Sequence, residues 1–376
     1  MTTARRPAEV FAPGVFVRDE LEERGWSQTD LADILDRPVG LVNELIAGKR
    51  GVSPETAKGL AAAFGTSAEL WMNLEAAYQL SKVSKDAEHE ISRRAKMFSK
   101  APVNDMIRRG WIEPSDSVDV LEQRLLHFYR IDSLDDEPEL FPHAARKSTS
   151  YLRETTMSQM AWLFRARHVA NTLRVDTWSA KNLEALLKQL SVLYHEAREA
   201  RHVPRILAEA GIRLVIVQPL PGSKIDGACF WIDKSPVIAL SMRFDRIDNF
   251  WFVLLHELGH LSRGELSIDE DIKPETEEGG EKPKQEIQAD RFALDCLVPQ
   301  DKLVGFMARV GPLYSAKRIE AFARTMNVHP GIVVGQLQYR QQVPYSSFRK
   351  MLHPIREIVT TSTVTDGWGS SLPSDL

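Results

Sequence analysis

Asn249-Phe250-Trp251-Phe252-Val253-Leu254-Leu255-His256-Glu257-Leu258-Gly259-His260 is the stretch around which the rest of the chain organises itself. It reads as a helix that is apolar on most sides yet carries two imidazoles and a carboxylate. His256 and His260 are four residues apart, so they share one helical face and both rings can converge on a single ion. Glu257, beside the first histidine, is placed to reach a water on that ion and to act as general base. Burying three such groups is unfavourable unless something satisfies them, and a metal satisfies all three at once. The competing reading is a His–Glu surface pair next to a core histidine.

A catalytic metal keeps three protein ligands and one open position, so a third ligand is needed. A second helix, Gln285–Leu297, is stopped by Pro299 and carries Glu286 and Asp290, again four apart. The simplest assignment makes Glu286 the ligand. Asp290 then accepts a hydrogen bond from a ligand imidazole and fixes its tautomer. The polar, acidic stretch from Glu265 to Glu281 reads as a loop between the two helices. Upstream, Ile212–Val217 is the best strand of the chain, and Ala228–Ile232 and Val237–Leu240 are two more around the turn Asp233–Pro236. Candidates for an oxyanion donor are His329, Arg246 and Tyr345.

The segment Ile225-Asp226-Gly227, the run Arg246 to His260, Glu286-x-x-Ala289-Asp290-x-Phe292-Ala293 and Val298-Pro299 resemble the ImmA/IrrE metallopeptidases. That family is zinc-dependent and cuts DNA-binding repressors. The resemblance implies zinc on His256, His260 and Glu286, with Glu257 as catalytic base. It is specific over about 206–300 and continues through His329–Gly335 and Val343-Pro344-Tyr345, as in long members with their own helix-turn-helix. Many members have Asn where this chain has Asp290; either accepts from an imidazole. Zinc is an implication of the resemblance, since two imidazoles and a carboxylate do not themselves select it.

At the other end, helix starts and stops alternate closely. Pro13 suits a first helical turn and Gly25 ends that helix. Ser27 is an N-cap with Asp30 three residues on. A third short helix spans Val39 to Ala47, Ser53-Pro54-Glu55 opens a fourth through Phe64, and Ser67 opens a fifth. Pro13-Gly14, Leu21, Ser27-Gln28, Leu31-Ala32, Arg37-Pro38-Val39, Asn43-Glu44, Gly48-Lys49, Ser53–Ala57 and Leu70-Trp71-Leu74 resemble a Cro/repressor-type helix-turn-helix close to the HigA antitoxins. In that fold Val39–Ala47 is the recognition helix, lying in the major groove. Gln28, Lys49 and Arg50 would touch phosphates, Arg37 lies beside the reading helix, and Asn43 is the best candidate to read a base, an amide pairing bidentately with adenine.

The 376 residues, 43% hydrophobic and 27% charged, allow two or three domains. Two cysteines, Cys229 and Cys296, exclude a disulfide framework and a thiolate metal cluster. The opening MTTARRPAEV has no apolar signal region, and no stretch is long enough to span a membrane, so a soluble cytoplasmic protein is expected. A net charge of −4 argues against a protein that coats nucleic acid, though not against one small reading face. Residues 1–80 hold 8 basic and 12 acidic side chains, so a monomer should bind operator DNA weakly and a homodimer is expected.

The expected architecture is mainly α with a small mixed α+β part. It comprises a five-helix helix-turn-helix domain over 1–80, a helical linker or interaction region over 81–205, a zincin-like metallopeptidase domain with a short β-sheet over 206–345, and a tail over 346–376. In the central region Leu183–Ala200 reads as a helix, and Arg165, Arg167 and Arg174 as a solvated basic face. Phe322–Gln338 carries a second helix-turn-helix rhythm. The leading functional expectation is a DNA-bound regulator whose zinc peptidase cleaves a repressor-type protein, in trans or itself. A HigA-like antitoxin or repressor with a zinc sensor or scaffold, without turnover, is the alternative from another class. A general peptidase that uses the helix-turn-helix only for assembly is a third.

Overall fold

The computed structural model describes residues 10–82, 85–138, 155–265, 267–270 and 283–373. Two compact units make up the chain, Met1–Arg94 and Ala95–Leu376.

The first unit holds helices α1 (Pro13–Arg24), α2 (Gln28–Leu35), α3 (Val39–Ile46), α4 (Pro54–Phe64) and α5 (Ala68–Lys82). Their ends follow the local signals. Pro13 occupies the first turn of α1, and left-handed Gly25 closes it. Ser27 and Asp30 form a reciprocal capping box on α2, and Ser53 with Pro54 starts α4. Val17, Leu21, Leu31, Val42, Leu45, Leu60, Phe64 and Trp71 bury together as the core. Gly14 lets α1 lie against α3, because a Cβ there would come within 2.1 Å of the Leu45 carbonyl oxygen.

Helix α6 (Lys85–Lys100) follows, and the division between the units falls within it. Then come α7 (Val103–Arg108), α8 (Val118–Tyr129), α9 (Met157–Asn171), α10 (Leu183–Ser191) and α11 (Val203–Glu209). Strands β1 (Arg213–Val217), β2 (Ile225–Ile232) and β3 (Ser235–Leu240) precede helix α12 (Ile247–Ser262) and strand β4 (Ser267–Glu270). The chain continues with α13 (Lys284–Leu297), α14 (Gln300–Val310), α15 (Ala316–Met326), α16 (Pro330–Tyr339), α17 (Arg356–Thr360) and β5 (Thr365–Asp366). The sheet order is β4-β2-β3-β1-β5; β1 runs parallel to β3 and β5, and β2 antiparallel to β3 and β4.

The sheet has a core on each face. Leu214, Ile216, Cys229 and Ile238 pack with Phe250, Trp251, Leu254 and Leu258 of α12. Their alternates Val215, Val217, Ala228, Phe230 and Val237 pack with Leu125 and Phe128 of α8 and Trp162 and Phe164 of α9. A strand covered on both faces is apolar without alternation, which is the pattern of Leu214–Val217. The protein is thus mainly helical around a small mixed sheet.

Four sequence expectations are corrected. The helix expected over Leu183–Ala200 ends at Ser191, and a 3-10 turn covers Ala197–His202. The Tyr194 carbonyl that a continued helix would use instead accepts the backbone N–H of His329 at 2.7 Å. Arg165, Arg167 and Arg174 do not form one solvated face, since only Arg174 is exposed and Arg167 is half-buried. Arg165 is fully buried, ion-paired with Asp366 and donating to the Leu372 carbonyl at 2.8 Å, because α9 is enclosed between the sheet and α8. Part of the expected 265–281 loop is strand β4, and residues 271–282 lie outside the described residues. The segment read as a tail supplies β5, which extends the sheet beside β1. Helices α15 and α16 do form a helix-turn-helix arrangement, but Ile332, Val333, Val334 and Leu337 bury α16 against the core.

Candidate metal centre

Helix α12 is buried on nearly every side, from Ile247 through Leu261, and so needs no amphipathic stripe. His256 and His260 are 0% and 1% exposed. Helix α13 lies along it. Gly259 allows this approach, since a Cβ there would sit 3.1 Å from Phe292 Cδ1 and 3.3 Å from Ala289 Cα. The closeness brings two carboxylates of α13, Glu286 and Asp290, onto one imidazole. Glu286 Oε2 is 3.2 Å from His256 Nε2, and Asp290 Oδ1 is 2.9 Å from His256 Nδ1.

His260 is held likewise. Its Nδ1 is 3.0 Å from Glu265 Oε2, and its Nε2 lies 3.0 Å from His256 Nε2 and 3.5 Å from Glu286 Oε1. Each ring therefore turns Nδ1 towards a carboxylate and Nε2 inward, where a neutral imidazole protonated on Nδ1 would present a lone pair. Two imidazole lone pairs and a carboxylate converging in a buried site repel one another unless a cation lies between them. The spacings of 3.0, 3.2 and 3.5 Å bracket the edge of about 3.3 Å of a tetrahedron with ligand bonds of about 2.0–2.1 Å. The residues present thus fit a small tetrahedral cation. Among the described residues His256, His260 and Glu286 form the single metal-capable cluster of this kind.

Glu257 sits on the sheet side of α12. Its Oε2 accepts the Ser267 hydroxyl of β4 at 2.6 Å, and Ser267 Oγ accepts the Cys229 backbone N–H of β2 at 3.2 Å. A Cβ on Gly227 of β2 would come within 2.3 Å of Glu257 Oε1, so the carboxylate lies flush against a strand position where only glycine fits.

Four residues around the centre escape sequence reasoning. Glu265 follows Gly264, whose left-handed turn folds the chain back onto His260; a glycine after a ligand helix was the available signal. Arg263 Nε donates to Glu265 Oε2 at 2.9 Å. Tyr339 of α16 donates to Asp290 Oδ2 at 3.4 Å, and neither it nor Ser267 has any signal short of the tertiary fold.

Two of the three oxyanion candidates have other occupations. His329 Nδ1 accepts the Gly331 N–H and caps α16, and burial lowers its pKa. Arg246 grips Asp248 at 3.1 and 2.7 Å and Gln338 at 2.9 Å. The Tyr345 side chain is exposed, while its carbonyl accepts from Gln338.

In the first unit, Gln28 is the exposed first residue of α2, and Asn43 is exposed on α3. Arg37, Lys49 and Arg50 are exposed, but Arg37 is ion-paired with Glu55, and Arg50 with Glu44 at 2.8 Å.

Comparison with known proteins agrees with both ends. A family described as "Helix-turn-helix" matches residues 17–71, and a peptidase family described as "IrrE N-terminal-like domain" matches residues 208–312. Virulence-associated protein A' of Dichelobacter nodosus is 35% identical over 80 residues, covering 21% of this chain and 70% of that protein. The Pseudomonas aeruginosa antitoxin HigA, solved with the higBA promoter, is 38% identical over 19% of this chain and 80% of that one, with a TM-score of 0.19. A further Pseudomonas aeruginosa structure, of a protein in complex with its operator DNA, is 36% identical over 22% of this chain and 96% of that one, with a TM-score of 0.21. These relatives bear on the first unit alone; the second is characterised by the peptidase match and its own geometry. The chain belongs to the helix-turn-helix family through its N-terminal domain, and fuses to it an IrrE-like peptidase domain.

Proposed function

We propose that this protein is a DNA-bound regulator carrying its own zinc metalloendopeptidase, which cleaves a repressor-type protein, in trans or itself. The observation that carries the reading is the convergence of His256, His260 and Glu286 within 4.8 Å, with both Nδ1 atoms turned onto carboxylates. These three residues would hold the zinc. Bound there, zinc would polarise the scissile carbonyl and lower the pKa of a water from about 15.7 to about 7. Glu257 takes the proton from the attacking water and returns it to the leaving amine. Ser267 fixes the angle of that carboxylate by donating to one oxygen, and Gly227 leaves it room. Asp290 and Glu265 hold the two imidazoles in the tautomer that exposes Nε2.

The alternative, a zinc sensor or scaffold without turnover, gives no use to Glu257. A fully buried carboxylate beside a metal ligand is costly, and a structural site requires no base. The helix-turn-helix would act as a homodimer on an operator, with Gln28, Lys49 and Arg50 on phosphates and Arg37 beside the reading helix. No described helix is long and apolar enough to cross a membrane.

The test compares newly formed protein N-termini in cells making the wild-type chain and Glu257→Gln. A cleaved helix-turn-helix protein present with the first and absent with the second supports the proposal. Identical sets of termini, with both proteins loaded with zinc, would leave the non-catalytic reading.

A further inference from the structure

Helix α3 turns Val42, Leu45 and Ile46 into the core and leaves Val39, Gly40, Asn43, Glu44 and Ala47 at the surface. Three features of that outer face stand out. It holds no arginine or lysine, the residues that read guanine bidentately in the major groove. Val39, in the first turn, is a large apolar side chain 43% exposed. Gly40 lies beside it in a helical conformation, with nothing within 4 Å of where a Cβ would be. Glycine costs an exposed helix about 0.8–1 kcal/mol relative to alanine, and neither local packing nor backbone conformation asks for it here. Its effect is to flatten the face between Val39 and Asn43, where a bulkier residue would hold a docked surface away.

We infer that α3 reads A·T base pairs: Asn43 pairs bidentately with an adenine edge while Val39 packs on a thymine methyl group, and Gly40 allows the backbone to come close. This rests on the proposal that the first unit binds operator DNA. Val39 and Asn43 are four residues apart on one helical face, so they reach the same or adjacent base pairs. The thymine methyl is the one apolar group a base presents in the major groove, and an amide matches the donor–acceptor pair of adenine. Glu44, the remaining polar residue on the face, is drawn to Arg50 at 2.8 Å. Were Glu44 to leave Arg50 it could accept from a cytosine amino group, which is the competing outcome.

The experiment selects binding sites for the full-length chain from randomised duplex DNA, then titrates the enriched duplex by fluorescence anisotropy. Two variants of that duplex carry uracil for thymine or 7-deazaadenine for adenine. The expected half-sites hold adjacent A·T pairs. Asn43→Ala should lose roughly 5- to 150-fold in affinity for the selected duplex and become indifferent to 7-deazaadenine. Val39→Ser should no longer distinguish thymine from uracil. Both residues are exposed, so folding is unaffected, and circular dichroism checks this. Half-sites centred on G·C pairs, or an Asn43→Ala protein with unchanged base preference, would overturn the inference while leaving DNA binding intact. Absence of binding to any duplex at low salt would remove the DNA-binding proposal, and this inference with it.

Discussion

Replacing Asp290 by Ala and Glu265 by Gln removes, in each case, the negative charge that faces a histidine Nδ1. Loss of such an outer partner typically costs about 10–100-fold in metal affinity, or about 1.4–2.7 kcal/mol. The surroundings place the two substitutions at different ends of that range. Glu265 already shares its Oε2 with Arg263 at 2.9 Å, and its side chain is 17% exposed, so its charge is partly neutralised before it reaches His260. About tenfold is expected for Glu265→Gln. The Asp290 side chain is 7% exposed, lies 2.9 Å from His256 Nδ1, and receives a neutral hydroxyl from Tyr339 at 3.4 Å. Nearer 100-fold is expected for Asp290→Ala. The assay is competition for zinc between the full-length protein and a chromophoric chelator at pH 7, with metal-free melting temperatures confirming that each variant folds. If both variants hold zinc as tightly as the wild type, or if Glu265→Gln loses more than Asp290→Ala, the assignment of these carboxylates is wrong.

Three further outcomes are expected. Asp366→Ala leaves the buried Arg165 guanidinium without its counter-charge and should cost about 3–5 kcal/mol in urea unfolding, whereas an apolar replacement of both residues should recover most of it. Burial, reinforced by Arg130, Arg165, Arg167 and His127, lowers the His168 pKa from 6.5 to about 3. The unfolded chain therefore takes up a proton that the folded one refuses, and stability falls as pH drops from about 6.5 towards 3. Between pH 7 and 5 the loss should be about 2 kcal/mol by urea midpoint and should vanish in His168→Leu. Gly227→Ala forces a Cβ against Glu257 and Val253 and should destabilise by about 1–3 kcal/mol; adding Glu257→Ala should return part of it in a double-mutant cycle.

The three residues that converge are legible in the sequence because their spacing and their context both speak. Two histidines four apart within an otherwise apolar helix have no cheap explanation without an ion, and Glu286 and Asp290 repeat that spacing on the next helix. The first unit is legible because Gly25, the Ser27–Asp30 box and Ser53-Pro54 mark helix ends through local chemistry. What escaped depends on tertiary contact. Strands β4 and β5 are four and two residues long and stand at the sheet edges, too short to show a period. Arg165 reads as a surface charge until Asp366, 201 residues away, is found beside it. Glu265 lies among acidic residues that mostly look alike, and a single left-handed glycine turns it inward.

The central claim is that His256, His260 and Glu286 hold one zinc ion beside a catalytic Glu257. It is tested most directly by elemental analysis of the purified full-length protein together with His256→Ala and Glu257→Gln. The account predicts about one zinc per chain in the wild type, the same in Glu257→Gln, and none in His256→Ala. A wild-type protein that holds no metal, even after zinc is supplied, would contradict it.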